Sequence, residues 1–173
     1  MAPKPGSVSG IAVFRLVGQG FGLPVEDVRE VVPVAWLDRP PHLSSMVEGI
    51  LNLGGQAVPV LRLDRLLGLE DGCYGLDASV LIMRPRPEGG TFGLLVEHVD
   101  SVREMSAFAA MGLPPGQSFN DCLVEVLERD GKAVNLLAWD RILLEQERER
   151  LVEFQDRAQA RLAELAELAE SGS

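Results

Sequence analysis

Gly49-Ile50-Leu51-Asn52-Leu53-Gly54-Gly55-Gln56-Ala57-Val58-Pro59-Val60-Leu61-Arg62-Leu63 is the most legible stretch of the chain. Two apolar runs of strand length, residues 47–53 and 58–63, are separated by a glycine pair, the pattern of two short strands joined by a tight turn. Gly49 and Gly55 admit backbone geometry that a side chain resists. Asn52 carries an amide able to satisfy buried backbone groups. Pro59 has no N–H to give to a ladder, which places its strand at an edge or junction.

The same texture extends in both directions. Toward the N-terminus, residues 10–17 are apolar and β-branched, Gly18-Gln19-Gly20 makes a hairpin, and residues 21–23 return as far as Pro24. Residues 25–29 fit one helical turn, and 30–37 fit a strand in which Pro33 marks an edge or bulge. Residues 1–9, rich in Pro, Gly and Ser, read as a disordered lead. Toward the C-terminus come a short helix at 64–69, a loop at 71–77, a strand at 79–84 and a turn at 85–90. Residues 92–105 hold two strands or one bent one, 107–121 form a long Pro/Gly connection, and 122–138 form a hairpin turning at Asp130-Gly131. Short strands between turns predict a mainly β body, a barrel or sandwich. Strands and long helices do not alternate, which argues against a doubly wound sheet.

The character changes after Trp139. From Asp140 to Glu170 there is neither Gly nor Pro, and Leu, Ala, Glu, Gln and Arg dominate, so one helix over about 140–168 is predicted, with Asp140 as N-cap or first-turn anion. Leu151, Phe154, Ala158, Leu162, Leu165 and Ala169 recur at steps of three or four and form an apolar stripe. An isolated amphipathic helix is marginal in water, so the stripe is expected either to dock on the body or to self-associate.

A net charge of −10 without any Lys/Arg cluster argues against nucleic acid and against an anionic membrane surface. Cys73 and Cys122 are the two cysteines; they make neither a disulfide framework nor a zinc site. The chain lacks a signal-peptide pattern and an apolar run of membrane-spanning length, so the cytoplasm is the expected compartment. Gly18-x-Gly20-x-Gly22 fails as a dinucleotide fingerprint because a strand follows it, and Gly131-Lys132 fails as a phosphate loop because the next residue is Ala133. His42 and His98 stand alone. No nucleophile, base and orienting acid share a recognisable local signature, so catalysis, a metal and a cofactor are not expected.

Four blocks in order resemble the CheW-like family of coupling proteins. They are Phe14 to Val32, with its V-x-E-V element at Val28-Arg29-Glu30-Val31; the 49–63 stretch, similar to G-V-x-N-L-R-G-x-x-V-P-V-x-D-L; F-G-L-L-V-E-H-V at 92–99; and A-V-N-L-L-A-W-D-R-I-L at 133–143. The resemblance implies two small five-stranded β-barrels sharing an apolar core over residues 10–144, followed by an amphipathic helix and tail at 145–173. It implies a non-catalytic adaptor that binds the cytoplasmic hairpin tip of a chemoreceptor in a groove between the barrels, and the regulatory domain of a CheA-type histidine kinase. Carried over by motif position, the groove candidates are Val28, Glu30, Val31, Gly49, Leu53, Gly54 and Gly93. Two positions depart from the pattern. Gly54 replaces the motif Arg, which removes an implied receptor contact. Arg62 replaces the motif Asp, which alters ion pairing beside Asp64 and Arg65. Two alternatives stand: an accessory scaffold of the same fold in a non-motility pathway, and a small-molecule-binding barrel enzyme.

Overall fold

The structure, a computed structural model, describes residues 8–34, 36–85, 90–116 and 118–172. Residues 1–7 of the expected lead and 86–89 of the expected turn lie outside the described residues. The end of that lead is built into the fold: Val8 is buried with Ile11 and Leu127, and Ser9 donates from both its backbone N–H and its hydroxyl to the Glu26 carboxylate.

Eleven strands follow in the order β1 (Gly10–Leu16), β2 (Gln19–Pro24), β3 (Val28–Pro33), β4 (Val47–Leu53), β5 (Gln56–Arg62), β6 (Ser79–Met83), β7 (Gly93–Val96), β8 (His98–Glu104), β9 (Ala109–Ala110), β10 (Leu123–Arg129) and β11 (Lys132–Leu137). The helices are α1 (Leu63–Leu66), α2 (Trp139–Ile142) and α3 (Glu145–Ser171). Three hairpins turn on residue pairs with both φ angles positive: Val17-Gly18, Gly54-Gly55 and Asp130-Gly131. That geometry matches the right-handed twist of the strands it joins. The first turn sits one residue earlier than the glycine spacing predicts. Val17, a β-branched residue at φ 51°, is held there by the Glu97 carboxylate, which accepts its backbone N–H at 2.7 Å.

The strands form a six-stranded sheet, β8-β1-β2-β11-β10-β9, and a five-stranded sheet, β3-β6-β7-β5-β4. Each contains one parallel pair, β2 with β11 and β5 with β7. The expected pair of five-stranded barrels is therefore corrected. Among the described residues no pairing joins β8 to β9 or β3 to β4, so both sheets curl without closing. In the five-stranded sheet the seam is narrowed by the chain itself: after β3, Asp38 exchanges backbone hydrogen bonds with Ile50 on the outer edge of β4, at 2.9 and 2.8 Å. Within the long 107–121 connection, Ala109 and Ala110 find β10 and become an edge strand.

The shared core expected of such a body is present. Phe14, Phe21 and Leu23 from the first sheet pack with Leu61, Leu81 and Leu94 from the second in one buried cluster. Separate clusters fill the curl of each sheet, Val58, Val60 and Ile82 in one, Ile11, Val134 and Leu136 in the other.

The tail begins later than the composition predicts. Trp139 and Ile142 of α2 and the following Leu143 are pulled into the shared core, and the chain extends at Leu143 and Leu144 before α3 starts. Glu147 accepts the Leu144 N–H at 3.0 Å and so caps α3, while Asp140 lies in the first turn of α2. Leu151 and Phe154 pack on the shared core. Ala158, Leu162 and Leu165 lie along a small crevice against Ile50 and Ala57. Ala169 is exposed. The stripe docks in cis from Leu151 to Leu162, with Leu165 more than half exposed at the rim.

Two glutamines complete that docking. Gln155, 9% exposed, donates its amide to the carbonyls of Ala57 and Thr91 and accepts the Thr91 N–H. One turn later Gln159 donates to the Gly55 carbonyl and accepts the Ala57 N–H at 2.8 Å. These are the backbone groups that a neighbouring strand would bond. Where β5 and Thr91 splay apart, the side-chain amides substitute for peptide groups. Gln155→Ala would leave the buried groups at Ala57 and Thr91 unpaired, each worth about 1–3 kcal/mol. We expect a loss of about 3 kcal/mol in denaturant unfolding and faster amide exchange throughout α3; Gln159→Ala, at a more exposed site, should cost under about 1.5 kcal/mol.

Candidate functional site

The candidate residues separate into two surface groups and two packed glycines. The first group lies on β3, an edge strand that pairs only with β6. Val28 is half-buried against the shared core. Glu30 is exposed and ion-paired with Arg29 at 3.7 Å, and Val31 is exposed. The second group is the β4–β5 hairpin, where Leu53 packs partly on the five-stranded sheet's own cluster and Gly54 is fully at the surface. The two groups face each other across the open seam, and the Arg29 guanidinium spans it to the Gln56 amide oxygen at 3.4 Å.

Gly49 and Gly93 belong to the packing instead. A Cβ on Gly49 would sit 2.8 Å from the Leu37 Cβ and 2.9 Å from the Asp38 carbonyl oxygen. This glycine lets the chain cross β4 and place Asp38 on its edge. A Cβ on Gly93 would meet the Val80 side chain at 2.5 Å, so this glycine permits β7 to lie against β6. Gly54 differs from both: its φ is +59° and nothing lies within 4 Å of a Cβ. Any constraint there is one of backbone angle, not space.

Sequence reasoning missed an exposed apolar group. Directly after β3, Val34 is exposed and Trp36 is 88% exposed. The Val34 N–H bonds the Ala78 carbonyl at 3.2 Å, which brings alongside a loop carrying the exposed Leu76. The available signal was a tryptophan in a Pro-bounded segment of a chain poor in aromatics; its apolar neighbours read as the continuation of a strand over 30–37, which hid its exposure.

Behind the hairpin a charged cluster anchors β5 to α1. Arg62, the departure from the family pattern, is buried and donates through Nε and Nη2 to both oxygens of the fully buried Asp64, at 3.0 and 2.7 Å. Its Nη1 reaches Glu48 of β4 at 3.2 Å, and its guanidinium lies 5.0 Å above the Tyr74 ring. Asp64 also accepts the N–H groups of Gly72 and Arg65. Burial pushes the Asp64 carboxyl up, but Arg62 and these N–H donors outweigh it and hold it at about 2. Burial and the Asp64 charge push the Tyr74 hydroxyl upward. Arg65 forms its own two-point pair with Asp71 at 2.9 Å and donates to the Ser45 carbonyl.

These groups are tied to one another, and the shifts run away from the range in which a general acid or base works. Burial likewise pushes the Cys122 thiol up to about 11, away from nucleophilic use. Among the described residues no group of three or more His, Cys, Asp or Glu side chains is placed to hold a metal ion, and no helix is long and apolar enough to cross a membrane.

Comparison with known proteins converges on one family. A family model described as CheW-like domain matches residues 10–147. Among solved structures, the crystal structure of the scaffolding protein TtCheW from Thermoanaerobacter tengcongensis is similar to this chain at 26% identity and a TM-score of 0.65. The match covers 79% of this chain and 86% of that one. No curated protein matches.

The Asp64 anchor generates a pH expectation. Its folded-state value lies below the usual 3.8, so its stabilisation is complete above that value and is lost as pH falls toward about 2. Asp64→Asn removes the fully buried partner of Arg62, leaving it Glu48 at 3.2 Å and Asp71 at 3.6 Å, and should cost about 3 kcal/mol, the low end for breaking a buried pair. In denaturant unfolding from neutral pH to pH 2, the mutant should also show a flatter acid limb than the wild type.

Proposed function

The chain belongs to the CheW-like domain family, and from that premise we propose that it is a non-catalytic adaptor coupling a chemoreceptor-like sensor to a CheA-type histidine kinase. The observation that carries the reading is the β3 edge with its apolar continuation. An edge strand offers unpaired backbone groups to a partner. The exposed Val31, Val34 and Trp36 beside it have the chemistry of an interface centre, where tryptophan is enriched. The ionisable clusters, by contrast, are internally neutralised, and the hollow on the six-stranded sheet is open rather than enclosed. Both weigh against the small-molecule enzyme.

In this reading the kinase regulatory domain docks on the apolar continuation of β3, at Val34 and Trp36. The receptor hairpin tip lies across the seam, against Val28, Glu30, Val31, Leu53 and Gly54. Gly49 and Gly93 shape the groove by holding β4 and β7 in place. Signalling follows from differential contact: the adaptor favours one receptor–kinase arrangement over another. The place of action is the cytoplasm. The missing motif Arg at Gly54 favours a second form of the same reading, an accessory adaptor in a non-motility pathway whose receptor lacks the matching acceptor.

The test is a calorimetric titration of the full chain with a CheA-type regulatory domain and, separately, a receptor-tip fragment. Binding to neither would overturn the reading. Trp36→Ala should weaken kinase binding about thirtyfold with unchanged unfolding, because the side chain is almost wholly exposed. Gly54→Arg should fold with a loss of about 1–2 kcal/mol from its left-handed φ and should bind a conventional receptor tip more tightly than wild type.

A further inference from the structure

One surface region runs against the chain's net charge of −10. The six-stranded sheet holds an open hollow of about 590 Å³ whose apolar floor is the half-buried Phe108 with the nearly buried Val13 and Val134. Arg15, Arg103, Arg129 and Lys132 also line it, against two acids, Asp100 and Asp130. Those acids are already engaged, Asp100 with Arg15 at 3.3 Å and Asp130 with Arg129 at 3.6 Å. Among the described residues Arg103 and Lys132 have no ion-pair partner. An apolar lining with two uncompensated cations fits a ligand that is both apolar and acidic.

The chain carries such a segment. The glutamine clasp pins α3 at Gln155 and Gln159, and the helix then runs on to Ser171. Leu165, at the rim of the crevice against Ile50, is 57% exposed and Leu168 beyond it 67%, and Glu164 and Glu167 are exposed beside them. At 100° per residue the two leucines and two glutamates share one half of the helix. The last turn holds no basic residue. The clasp fixes α3 to the five-stranded sheet, whereas the hollow belongs to the six-stranded one, so the tip that fits the hollow is that of another molecule.

We propose that the exposed end of α3 docks in the hollow of a second copy of this chain. Leu165 and Leu168 cover Val13, Phe108 and Val134, and Glu164 and Glu167 pair with Arg103 and Lys132. The contact is heterologous: each copy retains a free tip or a free hollow, so copies add head to tail. Long-range repulsion between the acidic bodies is screened beyond about 8 Å at physiological ionic strength, while pairs at a partly buried contact are screened less. The contact uses neither the β3 edge nor the β4–β5 hairpin and stands apart from the adaptor reading.

The experiment is sedimentation equilibrium of the full chain over a concentration series at physiological salt, with circular dichroism confirming that each variant is folded. Wild type should associate. Arg103→Glu/Lys132→Glu and, separately, Glu164→Lys/Glu167→Lys should each weaken association at least about tenfold, and an equimolar mixture of the two should restore it. Leu165→Ser/Leu168→Ser, which leaves every charge in place, should weaken it as well. A wild type that stays monomeric at every concentration overturns the proposal. So does a hollow-reversed variant that associates like wild type, which would point to helix–helix pairing. Failure of the two folded charge variants to restore association on mixing overturns it too.

Discussion

Among the described residues neither sheet closes on itself, and that constraint organises the molecule. A closed barrel hides its inner face and abolishes its edges; an open curl does neither. Here each sheet covers what the other leaves open, and the cluster joining Phe14, Phe21 and Leu23 to Leu61, Leu81 and Leu94 is the product. Aromatic packing extends it outward: Phe21 meets Phe119 edge-on at 5.2 Å, and Phe92 meets Trp139 at 6.5 Å. Phe119 reaches that position from a left-handed run, Phe119-Asn120-Asp121, a costly conformation for side-chain-bearing residues. The Asn120 amide secures it by donating to the Leu66 carbonyl.

Open sheets also leave backbone groups without strand partners, and this chain answers with side chains. Gln155 and Gln159 stand in for peptide groups where β5 and Thr91 splay. Asp64 collects one N–H group within α1, from Arg65, and one from the loop that follows, from Gly72, while neutralising Arg62. Such polar junctions hold well when every member is satisfied and cost heavily when one is removed. They locate the rigidity of the body at its joins. The surfaces left free, the β3 edge and the end of α3, are where partners can be accommodated without disturbing those joins.

The three glycines of the candidate set show how one motif letter covers different physics. Gly49 and Gly93 are required by close approach, Gly54 by a turn with positive φ. A family motif registers all three alike. Geometry divides them: the first two allow β4 and β7 to be placed, while Gly54 sits at the surface with open space around it. Trp36 has no motif at all, yet its exposure is the feature an adaptor would use most directly.

Much of the body was legible because its signals are local. Alternating short apolar runs, glycine turns at Gly54-Gly55 and Asp130-Gly131, Pro33 on an edge strand and a glycine-free stretch over 140–170 each report on a few neighbouring residues, and hairpins and helices are built from such neighbours. Sheet order, the parallel pairing of β5 with β7, and the failure of the barrels to close depend on contacts far apart in sequence, which no local pattern encodes. The same limit explains the tail. Its composition specified a helix, but the start moved to Glu145 because the core took up Trp139, Ile142 and Leu143, and its docking relies on Gln155 and Gln159, whose partners lie some hundred residues earlier. The sequence by itself determined the elements and the family; only the tertiary structure decided which glycines are packed and which exposed, where Trp36 points, and how far α3 extends beyond its clasp, because those properties belong to surfaces that exist only once distant segments meet.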